Sequence, residues 1–305
     1  MKILVTGGAG YVGNLLAKAL LGAGHVVTIF DNFMFGYDSV LHIVNHPNLH
    51  IIKGDIRNDN LAYLHDKDVI FHLAAISGYP ACEANPNSAK LINVDATVRI
   101  SDYLAKDQLL IYASTTSFYG NSGSVSDEKT IVNPVSLYGL TKHQAEQIIL
   151  QRENAISLRW ATVFGVSPRM RAGLLVNDFV QKAVQEGTLV LYSPYSKRTF
   201  MHVADSVKGY LFALDHAHQM RGQIYNMGSE KLNFSKREIA DAIKQYFSFE
   251  IIEANMLDKD VRHFSVSFAN ARALGFNCEV SLEDGIHEMI KLYRFYTPHS
   301  FIKPI

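Results

Sequence analysis

The stretch Lys2-Ile3-Leu4-Val5-Thr6-Gly7-Gly8-Ala9-Gly10-Tyr11-Val12-Gly13 runs from apolar residues through a cluster of glycines into a helical pattern. Gly7, Gly10 and Gly13 stand three apart between an expected strand and an expected helix. Glycine serves three needs there: a tight turn, close approach of backbone to a pyrophosphate, and packing of helix against strand. The helix N-terminus then offers free N–H groups and a partial positive charge to phosphate. Tyr11 and Val12 fill the same turn, which is read as the pyrophosphate site of a dinucleotide.

Outward from this turn, short β-branched runs alternate with helical segments. Strands are expected at Ile3–Thr6, Val26–Phe30, Leu49–Lys53, Val69–Leu73, Leu109–Ala113 and Ile156–Arg159. Helices are expected over Val12–Leu21, Ser88–Ala105 and Pro134–Gln151. That alternation is the pattern of an α/β fold, a Rossmann-type doubly wound parallel sheet with helices on both faces. After about Arg159 the pattern loosens. Short strands are expected at Leu189–Tyr192 and Thr199–Val203, and Ser235–Glu238 and Ser281–Asp284 are capping boxes that open later helices. The expected division is residues 1–162 for the dinucleotide-binding domain and 163–305 for a smaller α/β substrate lobe. A segment near 204–228, with a strand at Ile224–Met227, returns to the main sheet.

Asp31 ends the second strand, where a carboxylate can accept hydrogen bonds from the hydroxyls of an adenosine ribose. A 2′-phosphate there would be repelled, and no lysine or arginine lies between Asp31 and Ile52. NAD is therefore expected over NADP. Asn32 follows Asp31, Asp55-Ile56 borders the expected adenine position, and Leu73-Ala74-Ala75 supplies small residues where backbone passes the cofactor.

Tyr138 and Lys142, four apart in a helical segment, share one face. An ammonium beside a phenol favours the phenolate. Such a group can take a proton from a sugar hydroxyl while hydride leaves the same carbon for a nicotinamide. Tyr63 and Lys67 have the same spacing but precede a strand with no hydroxyl cluster upstream, so they read as a solvated helix face. Tyr138 differs because Ser114-Thr115-Thr116-Ser117-Phe118-Tyr119-Gly120 follows the fifth strand, placing hydroxyls at the mouth of the sheet where ligands bind.

Bulk properties narrow the field further. The chain has 305 residues, 48% hydrophobic, with 29 basic and 29 acidic residues; that balance argues against nucleic acid or an anionic membrane as partner. Cys82 and Cys278 are far apart and outside any CxxC spacing, so neither a disulfide framework nor a metal site is expected. Met1-Lys2 leads straight into the first strand without an apolar leader, and no run is long enough to span a bilayer; a cytosolic protein is expected.

At this point the chain resembles the extended short-chain dehydrogenase/reductases, in the branch of nucleotide-sugar epimerases and dehydratases. The resemblance rests on the glycine turn, Asp31-Asn32, Gly54-Asp55-Ile56, His72-Leu73-Ala74-Ala75, Asn93-Val94, the Ser114–Gly120 run, Tyr138–Lys142 and Arg198-Thr199-Phe200-Met201-His202-Val203. It implies NAD as cofactor, a nucleoside-diphosphate sugar as substrate, and a homodimer built on two long helices. Position by position it implies Tyr138 as base, Lys142 as its partner and Thr115 as the hydroxyl on the sugar oxygen. Asn93 joins the cofactor set, and Ser77 and Thr116 join the substrate set. Asn177, Arg198 and Arg262 resemble contacts to the substrate diphosphate, a task suited to the arginine fork. The branch's 4,6-dehydratases carry a carboxylate after the threonine, whereas Thr116 and Ser117 stand here. The run Ala161–Arg171, continuing to Asn177-Asp178-Phe179, resembles a narrower branch that includes GDP-heptose 4-dehydrogenases and epimerases. The expected activity is C4 oxidoreduction of a nucleotide sugar, as epimerase or dehydrogenase. An NADP-dependent ketoreductase and a catalytically silent NAD-binding sensor are the alternatives.

Overall fold

The computed structural model describes residues 1–255 and 262–298. Its centre is a seven-stranded, wholly parallel sheet. In chain order the strands are β1 (Lys2–Thr6), β2 (Val26–Asp31), β3 (Leu49–Lys53), β4 (Val69–His72), β5 (Leu109–Thr115), β6 (Ala155–Trp160) and β7 (Gln223–Met227). Their order across the sheet is β7-β6-β5-β4-β1-β2-β3, with every neighbouring pair parallel. The chain winds from β1 out to β3, then crosses back to β4 on the other side of β1. A crevice therefore opens between the C-terminal ends of β1 and β4, where such sheets bind ligands.

The inner strands are buried on both faces, which is why they read as unbroken apolar runs. Successive side chains still alternate. Ile3, Val5, Ile29 and Ile111 enter one core, shared with α1 (Gly13–Gly22) and α4 (Val203–Asp215). Leu4, Phe30, Leu110 and Tyr112 enter the opposite core, shared with α2 (Ala96–Tyr103) and α3 (Leu137–Ile149).

A third core belongs to the second half of the chain. Phe164, Phe179, Phe200, Ile243 and Met289 pack together there with helices Leu175–Gln185, Lys236–Lys244 and Leu282–Tyr293. Both expected capping boxes are formed, at Ser235 with Glu238 and at Ser281 with Asp284. Strand Lys197–His202 lies between Thr162–Phe164 and Asn233–Ser235, and Thr188–Tyr192 pairs with Glu250–Ala254. The second half also gives residues to the sheet's first core, including Phe264, Val266 and Phe268.

Three local expectations differ from what forms. The helix expected over Ser88–Ala105 begins at Tyr79, breaks at Asn85 before Pro86, and passes through a π-helical turn at Leu91–Asp95 before α2. Proline has no N–H to continue the ladder, and the wide turn coincides with the inward-facing Asn93. The helix expected from Pro134 starts at Leu137, because the Ser136 hydroxyl accepts the Gly139 N–H and caps it. Tyr63 is not on a solvated helix face. It sits on a short 3₁₀ turn and stacks on Phe30 with ring centroids 4.2 Å apart.

Candidate active site

The glycine turn sits at the crevice. Gly7 has φ +69°, and a Cβ added to it would lie 2.8 Å from the Ala74 backbone nitrogen at the end of β4. A Cβ on Gly13 would overlap the Gly7 carbonyl oxygen. The first turn of α1 has no side-chain cap at Val12, and the Asn14 N–H in that turn donates to the Gly10 carbonyl at 3.2 Å. These features suit a pyrophosphate: bare backbone, close approach, and a positive helix end.

Asp31 closes one side. Its Oδ2 accepts the Ala9 N–H at 3.0 Å and its Oδ1 accepts the Phe33 N–H at 2.8 Å, fixing the carboxylate between the glycine turn and the end of β2. Burial raises its pKa, and Arg169 is the charged side chain that opposes this. Asn32 accepts the Met34 N–H. Asp55 is taken by Arg57 through two hydrogen bonds, 2.9 and 2.6 Å, which hold its carboxyl below the ordinary range. Ile56 is buried in the second core.

On the other side a buried relay ties Leu73–Ala75 to β1. The Ala74 N–H donates to Thr6 Oγ1 at 3.2 Å, and that hydroxyl meets His72 Nδ1 at 2.7 Å. His72 Nε2 meets Thr97 Oγ1 at 2.9 Å, whose own proton goes to the Asn93 carbonyl. The two hydroxyls thus require a neutral imidazole protonated on Nε2, and burial pushes its pKa down to about 3. Asn93 itself accepts the Ile76 N–H and donates to the Ile76 carbonyl and to Thr141 Oγ1. The Asn93 side chain thereby joins the loop after β4 to α3.

That helix carries Tyr138 and Lys142. Tyr138 is half-buried, and the Thr141 hydroxyl donates back to its carbonyl. Lys142 is buried, with Nζ 4.0 Å from the centroid of the Tyr112 ring. Burial lowers its pKa to about 7, with the Glu146 carboxylate one turn further on pulling the other way. A Cβ on Gly139 would sit 3.4 Å from Phe118 Cβ, so this first turn lies against the turn that follows β5. Thr115, at the end of β5, accepts the Ser117 N–H at 3.1 Å and keeps its proton for another acceptor. Thr116 donates to the Trp160 carbonyl at 3.1 Å, so its proton is already used.

The residues expected on a substrate diphosphate divide. Asn177 is fully buried. Its Oδ1 accepts the Gly165 N–H, and its Nδ2 donates to the Arg171 carbonyl and reaches the Tyr11 hydroxyl. Arg198, in strand Lys197–His202, and Arg262, immediately before strand His263–Val266, are both buried, and the Lys197 N–H donates to His263 Nδ1 at 3.2 Å. Ser77 is bonded to Arg171, Nη1 to Oγ at 3.2 Å and Nη2 to the Ser77 carbonyl at 3.0 Å. Arg171 also faces Tyr138 electrostatically. Arg169 and Arg171 carry no motif of their own within Ala161–Arg171, and nothing in a loop's composition says which strand end it will cross.

The family model for the NAD dependent epimerase/dehydratase family matches residues 3–228. A putative UDP-glucose 4-epimerase of Methanocaldococcus jannaschii is 28% identical over 305 residues, covering 94% of this chain and 97% of the relative. UDP-glucuronic acid decarboxylase 1 of Xenopus tropicalis is 30% identical, covering 98% of this chain and 73% of that one. Among solved structures, UDP-glucuronic acid 4-epimerase from Bacillus cereus, crystallised with NAD, superposes with a TM-score of 0.84 at 25% identity, covering 99% of each chain. The chain belongs to the NAD dependent epimerase/dehydratase family.

Proposed function

We propose that this enzyme uses NAD to oxidise C4 of a nucleoside-diphosphate sugar, as a 4-epimerase or a 4-dehydrogenase. The observation that carries this is the glycine turn with Asp31 fixed beside it at the switch-point crevice, and Asn93 joining the loop after β4 to the helix of Tyr138 and Lys142. NAD, when bound, accepts and can return a hydride. Tyr138 takes the proton of the carbinol, Thr115 orients that oxygen with its remaining proton, and Lys142 supplies positive charge next to the phenol. The relatives' names place nucleotide-sugar chemistry near this chain and span epimerase and decarboxylase. Thr116 and Ser117 offer no carboxylate after Thr115, which disfavours 4,6-elimination. Arg198 and Arg262 would hold the substrate diphosphate, and Asn177 braces the segment of Gly165 and Arg171 against Tyr11.

The test is incubation of the protein with UDP-, GDP-, CDP- and dTDP-sugars, following absorbance near 340 nm and the configuration of the recovered sugar. Inverted C4 without net reduction identifies the epimerase, and stoichiometric NADH the dehydrogenase. Tight NAD binding with no change in any sugar would overturn the enzyme reading in favour of the sensor. Asp31 carries a separate expectation. Two backbone donors fix its carboxylate, so NADH should bind at least about tenfold tighter than NADPH; one unpaired phosphate–carboxylate contact costs more than 1.4 kcal/mol. A preference for NADPH would revive the ketoreductase. A homodimer fits the exposed apolar side chains Leu91, Tyr103 and Leu140 around α2 and α3. Among the described residues no helix is long and apolar enough to cross a membrane.

A further inference from the structure

Residues 165–171 leave the end of the sheet for the second half of the chain, and they do so directly across the glycine turn. The Tyr11 hydroxyl donates to the Gly165 carbonyl at 2.6 Å, and the Ser167 hydroxyl donates to the Tyr11 carbonyl at 2.7 Å. Asn14, in the first turn of α1, donates through Nδ2 to the Gly10 carbonyl and approaches Ser167 Oγ at 3.1 Å. The segment is therefore laced to the turn expected to hold a pyrophosphate.

Two arginines project from it to opposite sides. Arg169 reaches the β2 side, with its guanidinium carbon 3.9 Å from the centroid of the Phe35 ring and its charge felt at Asp31. Arg171 reaches the β4 side, where Ser77 holds it. Neither makes an ion pair among the described residues. Arg169 is buried, and among the described residues its Nε has no hydrogen-bond partner and its one protein acceptor is the Met170 carbonyl at 3.4 Å. Burial and its neighbour Arg171 lower its pKa to about 10. Two guanidinium groups brought out of water on the two sides of the turn, neither bonded to a carboxylate and only Arg169 with one, Asp31, within electrostatic reach, are costly without a further anion.

We propose that Arg169 and Arg171 are anion ligands for the coenzyme's pyrophosphate, so that residues 165–171 form a strap facing the glycine turn. This rests on the NAD reading above and adds that the dinucleotide is held by two segments far apart in the chain. The strap supplies what the glycine turn lacks: full positive charges in a fork geometry matched to phosphate.

The experiment is calorimetric titration of the nucleotide-stripped full chain, and of its Arg169→Gln, Arg171→Gln and Arg171→Lys variants, with NAD, ADP-ribose, adenosine and the UDP-, GDP-, CDP- and dTDP-sugars. Each Gln variant should bind NAD and ADP-ribose about tenfold or more weaker, as for a lost charge-assisted hydrogen bond. Adenosine, which has no phosphate, should bind all four proteins alike, and Arg171→Lys should recover part of the loss. The salt dependence of NAD binding should flatten in the Gln variants. Gln variants that bind NAD and ADP-ribose like the wild type would overturn the strap and leave the proposed activity standing. If only nucleotide-sugar binding weakened, the arginines would belong to the substrate and the proposal would fall. A wild-type chain that binds neither NAD nor ADP-ribose would sink both readings. Should a Gln variant fail to fold, a wild-type chain whose affinity for NAD does not fall with rising salt would count against the proposal on its own.

Discussion

Tyr138→Phe should lower turnover of the nucleotide sugar by about 10³-fold or more while NAD affinity stays within about twofold of the wild type. The substitution removes one oxygen and leaves the ring, the helix and the glycine turn in place. General-base assistance contributes typically about 10²–10⁴ in rate. Loss of the base should therefore act on kcat and kcat/KM together, with three decades corresponding to about 4 kcal/mol of barrier. The competing base would be Lys142, whose pKa near 7 leaves a large neutral fraction at physiological pH. Its Nζ lies over the face of Tyr112 inside the protein, however, and is a poor candidate to reach a substrate oxygen. Single-turnover measurement of NADH formation with a saturating sugar distinguishes the two. A Tyr138→Phe enzyme retaining more than a tenth of the wild-type rate would transfer the proton elsewhere, and the mechanism proposed here would be wrong.

How much of this was legible beforehand depends on whether a residue's role is local. The glycine turn was readable because strand, glycines and helix are contiguous, and the turn's geometry is decided by those residues alone. The first six sheet strands were readable for the same reason: a strand buried on both faces leaves an unbroken apolar run. Helix ends marked by Ser235 and Ser281 were readable because the capping pair is local. Other residues took their roles from distant partners. The Asn93 carboxamide bonds to Ile76 and Thr141, seventeen and forty-eight residues away in the chain. Asn177 is occupied by Gly165, Tyr11 and Arg171. Tyr63 had the spacing of a solvated face and found Phe30 to stack on. Short strands such as Asn121–Ser126, which pairs with His263–Val266, have no periodicity long enough to register.

The other large expectation concerns Glu146, two turns below Tyr138 on the same helix and absent from any motif. Glu146 is fully buried and accepts from Arg159 Nη2 at 2.6 Å, from Arg159 Nε, and from the Ser157 hydroxyl at 2.7 Å. Arg159 passes under the Phe118 ring and donates to the Tyr119 hydroxyl at 2.8 Å, which in turn donates to Asn226 on β7. Burial alone would lower the arginine's pKa, but the hydrogen bonds and charge of Glu146 outweigh it and hold it above the ordinary value. Glu146→Ala leaves that guanidinium buried without its anion, a change that costs about 3–5 kcal/mol, a large share of the roughly 5–15 kcal/mol that holds a typical domain folded. Denaturant unfolding should show the loss directly, and a change under about 1 kcal/mol would mean that water or another acceptor already shares the charge. Glu146→Gln keeps the shape and tests the link to catalysis. The carboxylate raises the pKa of Lys142 against its burial. Without it the ammonium deprotonates at lower pH, so the alkaline limb of the turnover–pH profile should move toward acid. The sign is fixed by the lysine being active when charged. A limb that stays in place, in a variant that still folds, would show that Glu146 supports the catalytic helix by packing alone.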